Sequence, residues 1–371
     1  MAQFVFEIGM EEIPARFVAP LRESLQTQFE NSLQQEQIAF KDLQVFIAPR
    51  RMVVWVPELS ATQSSSEQVI TGPPVRIAYD EQGSLTKAGL GFAKNQGVEP
   101  EDLFVKESKK GNYLAVRKQL GGQDTAQILP GICANIVSHL PFPKKMRWEQ
   151  SGFTFGRPIR WLLALLDKQV VPVSIASLTA DRFTYGHRVL GPGPWRVEEA
   201  AEYLALIREK GRVILDVRER LEIIKTQADE LVREKEGHVA WNEDLLWEVA
   251  NLAEYPKPLL GRFDPVYLEL PREVLLTSME SHQKSFGVED EHGHLLPFFL
   301  CTLDLEPADL EMVRKGWERV LKARLEDARF FWEADSRTSM QEWLEKLDKV
   351  IFLGPLGSMG QKSKRLQDLT G

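Results

Sequence analysis

Clustered cations recur in four short segments of a chain whose formal net charge is −8: PRR at 49–51, KKMRW at 144–148, GRPIRW at 156–161 and TYGHRVL at 184–190. Arginine suits phosphate because its planar fork donates two parallel hydrogen bonds. Tryptophan and tyrosine stack on unpaired bases or on a guanidinium. Arg50, Arg51, Lys144, Lys145, Arg147, Arg157, Arg160 and Arg188 are therefore the candidate RNA-binding residues. In an acidic protein such attraction must come from a local patch, not the global field. The competing reading makes Trp148, Phe153, Phe155 and Trp161 core residues, with the arginines pairing acids of neighbouring helices.

Other constellations carry less. His292 and His294 in DEHGH have metal-ligand types but lack a third spaced ligand and fall on an expected turn, so an exposed turn is favoured over zinc. His282 has no serine or cysteine elbow and no orienting third residue, which favours a helix-end histidine over a general base. GLGFAKNQG does not match a phosphate-binding loop and follows a hairpin instead of a buried parallel strand. Glu7, Glu11 and Glu12 could form a magnesium cluster, but carboxylates near the first turn of a helix already have an electrostatic reason to be there, and that explanation is preferred. No metal ligand is assigned.

The elements that must position these residues follow from periodicity. QFVFEIG alternates as a strand, and a helix starting at Pro14 carries Phe17, Leu21, Leu25, Phe29 and Leu33 at every fourth position. LQVFIAPRRMVVWVPEL predicts two strands around Pro49, Arg50 and Arg51. RIAYDEQGSLT predicts a hairpin through Glu81, Gln82 and Gly83, KAGLGFAKNQG a short helix, FVKESKKGNYLAVRK a second hairpin, and TAQILPGICANIVSHL a helix stopped by Pro141 and Pro143. Beyond Val197, a stripe of Ala200, Ala201, Leu204 and Ile207 predicts a helix, and RVIL a short buried strand. Asp216 with Glu219 opens a second helix, and Asn242 caps a third. A helix after Pro271 precedes a hairpin of SFGVE and LLPFFLCTLD across DEHGH. In the last helix Val320, Leu321, Leu325, Ala328, Phe331 and Trp332 share one broad face.

The expected class is α/β of the α+β kind, a mixed multi-domain fold with antiparallel hairpins and packed helices, ending in a helical segment. Expected divisions are 1–60, an α/β unit; 61–195, with the basic-aromatic segments; 196–305, mixed; and 306–371, helical. With 371 residues and 43% hydrophobic composition, two or three domains are expected. Cys133 and Cys301 offer neither a disulfide framework nor a cysteine zinc site, which fits a reducing cytosolic compartment. Glu7, Glu11 and Glu12 make the N-terminus unlike a signal peptide, and no window has the length of a membrane span. The expectation is a soluble cytoplasmic protein.

Ten segments in order carry a family resemblance: FEIGMEEIPA, APRRMVV, TGPPV, GSLTKAGLGFA, FPKKMRW, FGRPIRWLLAL, TYGHRVL, AEYPKPLLGRFD, LELPREVLLTSMESHQKSF and ERVLKARLEDARFFWEADS. Together they resemble the N-terminal part of the beta subunit of the bacterial heterotetrameric glycyl-tRNA synthetase. The resemblance implies an assembly of two alpha and two beta chains that attaches glycine to tRNA(Gly) through a glycyl-adenylate. ATP and magnesium are then expected at the class II core of the alpha subunit, with no cofactor and no catalytic residue in this chain. It further implies that beta positions tRNA and holds alpha and a second beta chain. It also implies a region similar to the editing-type domain of phenylalanyl-tRNA synthetase. Family beta chains continue into an HD-type helical domain, so the sequence reads as a fragment stopping near that junction. Two segments depart from the family pattern: Trp317 stands in GWERV where GNERV is usual, and FLGPLG replaces a Gln-rich motif. The alternatives are a subunit-assembly module with little RNA affinity and a hydrolase that edits mischarged tRNA.

Overall fold

The computed structural model describes residues 1–80, 83–108 and 111–370. It is α+β, mixing helices with antiparallel sheets, and divides into two compact units, Met1–Asp216 and Val217–Gly371.

The first unit is built on a six-stranded sheet. β1 (Ala2–Met10) lies centrally, helix α1 (Val18–Gln35) follows, and β2 (Phe40–Lys41), β3 (Gln44–Ala48) and β4 (Arg51–Leu59) come next. β1 pairs antiparallel with β4, and β4 also pairs with β2 and β3. Alternation explains why β1 is buried almost throughout. Phe4, Phe6, Ile8 and Met10 face a core that includes Leu21, Leu25, Phe29 and Leu33 of α1, the four-residue stripe expected from the sequence. Val5 faces a separate core with Val53, Trp55, Tyr203 and Ile207. A sheet covered on both faces needs apolar residues at every strand position. Glu7 falls on the Val5 face, and its burial needs explaining.

A second sheet joins β5 (Ser66–Pro74), β6 (Leu103–Ser108) and β7 (Gly111–Leu120), with the helical turn α2 (Val75–Ala78) and helix α3 (Lys87–Gln96) against it. The expected FVKESKKGNYLAVRK hairpin is the β6–β7 pair, although Lys109 and Lys110 lie outside the described residues. The RIAYDEQGSLT hairpin is corrected: its first half is the helical turn α2, leaving only a Tyr79–Leu85 bridge, and Glu81 and Gln82 lie outside the described residues. Helix α4 (Thr125–His139) stops before Pro141 as expected. The short pair β8 (Met146–Arg147) and β9 (Thr154–Phe155) then leads to β10 (Ile159–Leu166), which closes on β1, and β11 (Gln169–Val170) finishes the sheet. RVIL is also corrected: Val213, Ile214 and Leu215 are buried, but the segment joins no sheet. A short apolar run records burial, not conformation.

The second unit orders four strands as His238–Val239, Phe286–Glu289, Leu295–Leu303 and Lys257–Arg262. One face, with Phe286, Val288 and Leu300, meets the helices Val217–Arg233 and Glu243–Ala250. The other, with Leu259, Phe299 and Cys301, meets Arg272–Gln283 and Leu310–Arg337. Asn242 caps its helix as expected, its side chain accepting from Leu245 N at 3.2 Å. Asn242→Ala should lower unfolding stability by about 1 kcal/mol in urea titrations. The face expected on the last long helix is only partly buried: Leu321 and Leu325 are enclosed, but Val320 (50%), Phe331 (61%) and Trp332 (43%) are exposed. Val313, Trp317 and Ala328 pack partly buried against the same core, so Trp317 acts in packing. Burial pushes both cysteine thiols above their ordinary range, which keeps them protonated and inert.

Candidate nucleic-acid interface

The eight candidate cations separate by burial. Arg51, the first residue of β4, is fully enclosed, and its Nη1 donates to Glu7 Oε1 at 2.8 Å and to the Tyr185 carbonyl at 2.7 Å. A residue with no surface cannot touch RNA, so Arg51 is removed from the set. Its guanidinium also lies 5.6 Å from the centre of the Trp161 ring. Glu7 is just as buried, and that burial raises its pKa while the Arg51 charge pulls the other way. Thr184, Trp161 and Tyr203 turn polar atoms toward the same carboxylate and also lower its pKa. None of the three polar atoms makes a well-formed hydrogen bond, and the second carboxylate oxygen, Glu7 Oε2, is likewise buried without one. Burial and the neighbouring Glu7 charge push the Tyr203 phenol well up, leaving it a protonated donor.

Beside this buried cluster, the end of the sheet where β1 finishes and β4 and β10 start gathers four other candidates. Glycine at position 9 lets the Trp161 ring lie on β1, since a Cβ there would come within 1.9 Å of Trp161 Cε2. Tyr185 packs on that indole with ring centres 5.1 Å apart, and Arg50 lies 5.8 Å from the ring centre while donating to the Gly186 carbonyl at 3.3 Å. Arg160 Nε donates to Glu11 Oε1 at 2.6 Å. Arg188 reaches the other Glu11 oxygen and Glu12 Oε1, the latter at 3.1 Å. Arg157 Nε donates to the Glu12 carbonyl at 2.8 Å. Side chains 149 and 177 residues along the chain from Glu11 thus meet on one acidic loop.

That loop corrects the helix-start expectation. Glu11 and Glu12 precede the helical segment, which starts at Ala15, and they pair arginines instead of supporting a helix start. Glu7 sits apart with Arg51, so the three carboxylates do not gather as a magnesium cluster. Among the described residues no group of three or more His, Cys, Asp or Glu side chains could hold a metal ion. His292 and His294 lie on a turn organised by Asp290, whose Oδ1 accepts from both backbone amides at 2.9 Å. His282 is exposed in the last turn of its helix. GLGFAKNQG is helix α3, with Thr86 as N-cap and Gly97 in the left-handed conformation just past its end.

Lys144, Lys145 and Arg147 are exposed beside β8, and β9 runs from there through Gly156 to Arg157. The aromatics of the segment are mostly core: Phe155 is enclosed, and Trp148 and Phe153 pack partly against the same cluster. Sequence reasoning missed Tyr185 as the indole's partner, and Glu11 and Glu12 as those of Arg160 and Arg188. The only signal for the latter was the acidic pair itself. Trp161, 7% exposed, is buried as the core reading expected, whereas Tyr185 is exposed at 38%, so two half-exposed guanidinium forks and the Tyr185 ring are what is chemically suited to phosphate and to a stacked base.

A family model described as glycyl-tRNA synthetase beta subunit matches residues 4–371. Glycine–tRNA ligase beta subunits are similar throughout. The Solidesulfovibrio magneticus protein is 51% identical over 371 residues, covering 100% of this chain and 53% of its own length. That of Nitratidesulfovibrio vulgaris strain DP4 is 52% identical over 369 residues, covering 100% and 53%. That of Halothermothrix orenii is 42% identical over 365 residues, covering 98% and 52%. The chain spans about half the length of these curated relatives. With a family model matched along nearly its entire length, the chain belongs to the glycyl-tRNA synthetase beta subunit family.

Proposed function

We propose that this chain is a noncatalytic part of a glycine–tRNA ligase, supporting ATP-dependent attachment of glycine to tRNA(Gly) by positioning tRNA and assembling with a catalytic alpha subunit and a second beta chain in the cytoplasm. ATP and magnesium belong, on this reading, to the alpha subunit, and no catalytic residue is assigned here. The observation that carries the RNA part is the gathering of Arg157, Arg160 and Arg188 on the Glu11–Glu12 loop, with Arg50 over the Trp161 ring on which Tyr185 packs. Arg160 and Arg188, at 56% and 50% side-chain exposure, are its accessible members. Lys144, Lys145 and Arg147 extend the same proposed surface.

Phosphate contacts release counterions, so they leave a signature in salt dependence. Arg160→Ala with Arg188→Ala should weaken tRNA(Gly) binding, and the slope of log affinity on log salt should become shallower by about one for each phosphate contact removed. Unchanged affinity and slope in that variant would sink the RNA contact while leaving the family assignment intact.

A second reading, an assembly module with little RNA affinity, draws on the exposed Phe330, Phe331 and Trp332 of the helix Leu310–Arg337. Size-exclusion chromatography with the alpha chain, beside a tRNA gel shift, separates the two, because only the module forms a protein complex without binding RNA. A region similar to the editing-type domain of phenylalanyl-tRNA synthetase is implied only by the family resemblance. An editing hydrolase would deacylate mischarged tRNA as the isolated chain, and absence of turnover at high enzyme concentration disposes of that reading.

A further inference from the structure

The most accessible arginines of the interface already hold an anion. Glu11 gives one carboxylate oxygen to Arg160 Nε and the other to Arg188, while Glu12 takes a second contact from Arg188. These acids are fixed from the backbone side: Met10 N donates to the Arg50 carbonyl at 2.8 Å, Glu11 N to the Pro158 carbonyl at 3.0 Å, and Ile13 N to the Pro49 carbonyl at 2.9 Å. The loop is therefore anchored, whereas Arg160 and Arg188 are long, half-exposed side chains free to turn about their own bonds. Partial burial pushes the Glu11 carboxyl up, but the hydrogen bond and charge of Arg160 and the charge of Arg188 outweigh it and leave the pKa lowered. Glu11 is accordingly anionic at neutral pH.

We propose that Arg160 and Arg188 form a phosphodiester site whose resident ligand is the chain's own Glu11 carboxylate, exchanged when RNA docks. A carboxylate offers two oxygens to two guanidinium groups, as a phosphodiester offers its two non-bridging oxygens, so both arginines stay satisfied through the exchange. Exposed ion pairs are weak, and RNA brings counterion release that the internal pair lacks. The site thus discriminates against ligands that make a single phosphate contact: they must displace Glu11 unaided, whereas an RNA engaging several cations spreads that cost over the whole surface. The inference rests on the RNA reading above.

The test titrates tRNA(Gly) and, separately, inorganic phosphate against the intact chain at about 50 and 200 mM salt, the range over which phosphate contacts lose most affinity. Glu11→Gln with Glu12→Gln should bind tRNA about three- to tenfold tighter at the lower salt, as expected for removing the weak exposed ion pairs that Arg160 and Arg188 make with the two acids. Glu11→Asp, which keeps the charge, should remain close to the parent. Arg188→Ala should cost more affinity in the Gln background than in the parent chain. If the Gln variant binds tRNA no tighter while Arg160→Ala and Arg188→Ala still weaken binding, the exchange is refuted and the RNA surface stands. If the arginine variants have no effect in either background, both fail. Tightening toward inorganic phosphate alone also overturns the assigned ligand.

Discussion

Arg51→Ala lowers the free energy of unfolding by about 3–5 kcal/mol, the cost of leaving one partner of a buried ion pair uncompensated. Arg51 and Glu7 both have fully buried side chains, so water cannot replace the missing partner. The loss also depends on pH. Burial raises the Glu7 pKa above 4.5 and Arg51 opposes that rise, so the substitution raises it further. A carboxyl with a raised folded pKa contributes stability that is fully present below its unfolded value and lost as pH rises through its folded value. The Arg51→Ala defect should therefore be larger at pH 7 than at pH 4. Urea unfolding at the two pH values measures both. A matched Glu7→Leu with Arg51→Met change should recover much of the loss, since the interior then holds no charge. A flat pH dependence, or a loss under about 1 kcal/mol, would mean that the pair is not what holds this layer.

Gly186→Ala should cost about 3 kcal/mol, the upper end of overpacking, because nothing around it can rotate away. A Cβ there would lie 2.1 Å from the Gly191 carbonyl, 2.3 Å from the Gly211 carbonyl and 2.4 Å from Gly211 Cα, all of them backbone atoms. The segment is held tightly: His187 N donates to the Gly211 carbonyl at 2.7 Å, and His187 Nδ1 accepts from the amides of Val189 and Leu190. Any relief must move the chain between Tyr185 and Arg188. Gly186→Ala should thus weaken tRNA binding as well as stability. Gly131→Ala, in α4 with open space around its Cβ position, should leave RNA affinity unchanged and serves as the comparison. Thermal unfolding and tRNA titration of the two variants test the claim, and equal affinity would detach this turn from the interface.

Local pattern carried the elements well where one period dominated. The stripe from Leu21 to Leu33 and the paired strands around Pro49 needed only side-chain spacing, because each element's burial is written within the element. RVIL failed because enclosure of Val213 to Leu215 comes from layers supplied elsewhere in the chain, and apolar composition does not distinguish a strand from a packed coil. The long terminal helix was legible as a helix, but its buried face was drawn too wide; which turns meet the sheet depends on where that sheet ends. The interface divided in the same way. Sequence marked the cations, yet whether a given arginine looks inward or outward follows from strand parity at the end of the sheet. Arg51 falls on the enclosed side of β4, while Arg160 of β10 is exposed.

The central place of β1 also bears on how the chain is made. β1 pairs with β4 soon after residue 59 is available, but its other edge waits for β10, whose last residue is Leu166. At ~5–20 residues per second, about a hundred further residues leave that edge open for roughly 5–20 seconds. Over that interval nine residues of unpaired, largely apolar strand form a template for foreign strands, and closing so distant a pairing is intrinsically slow. Nascent-chain aggregation should consequently peak for lengths that include β4 but not β10, and fall once Leu166 has cleared the ribosome.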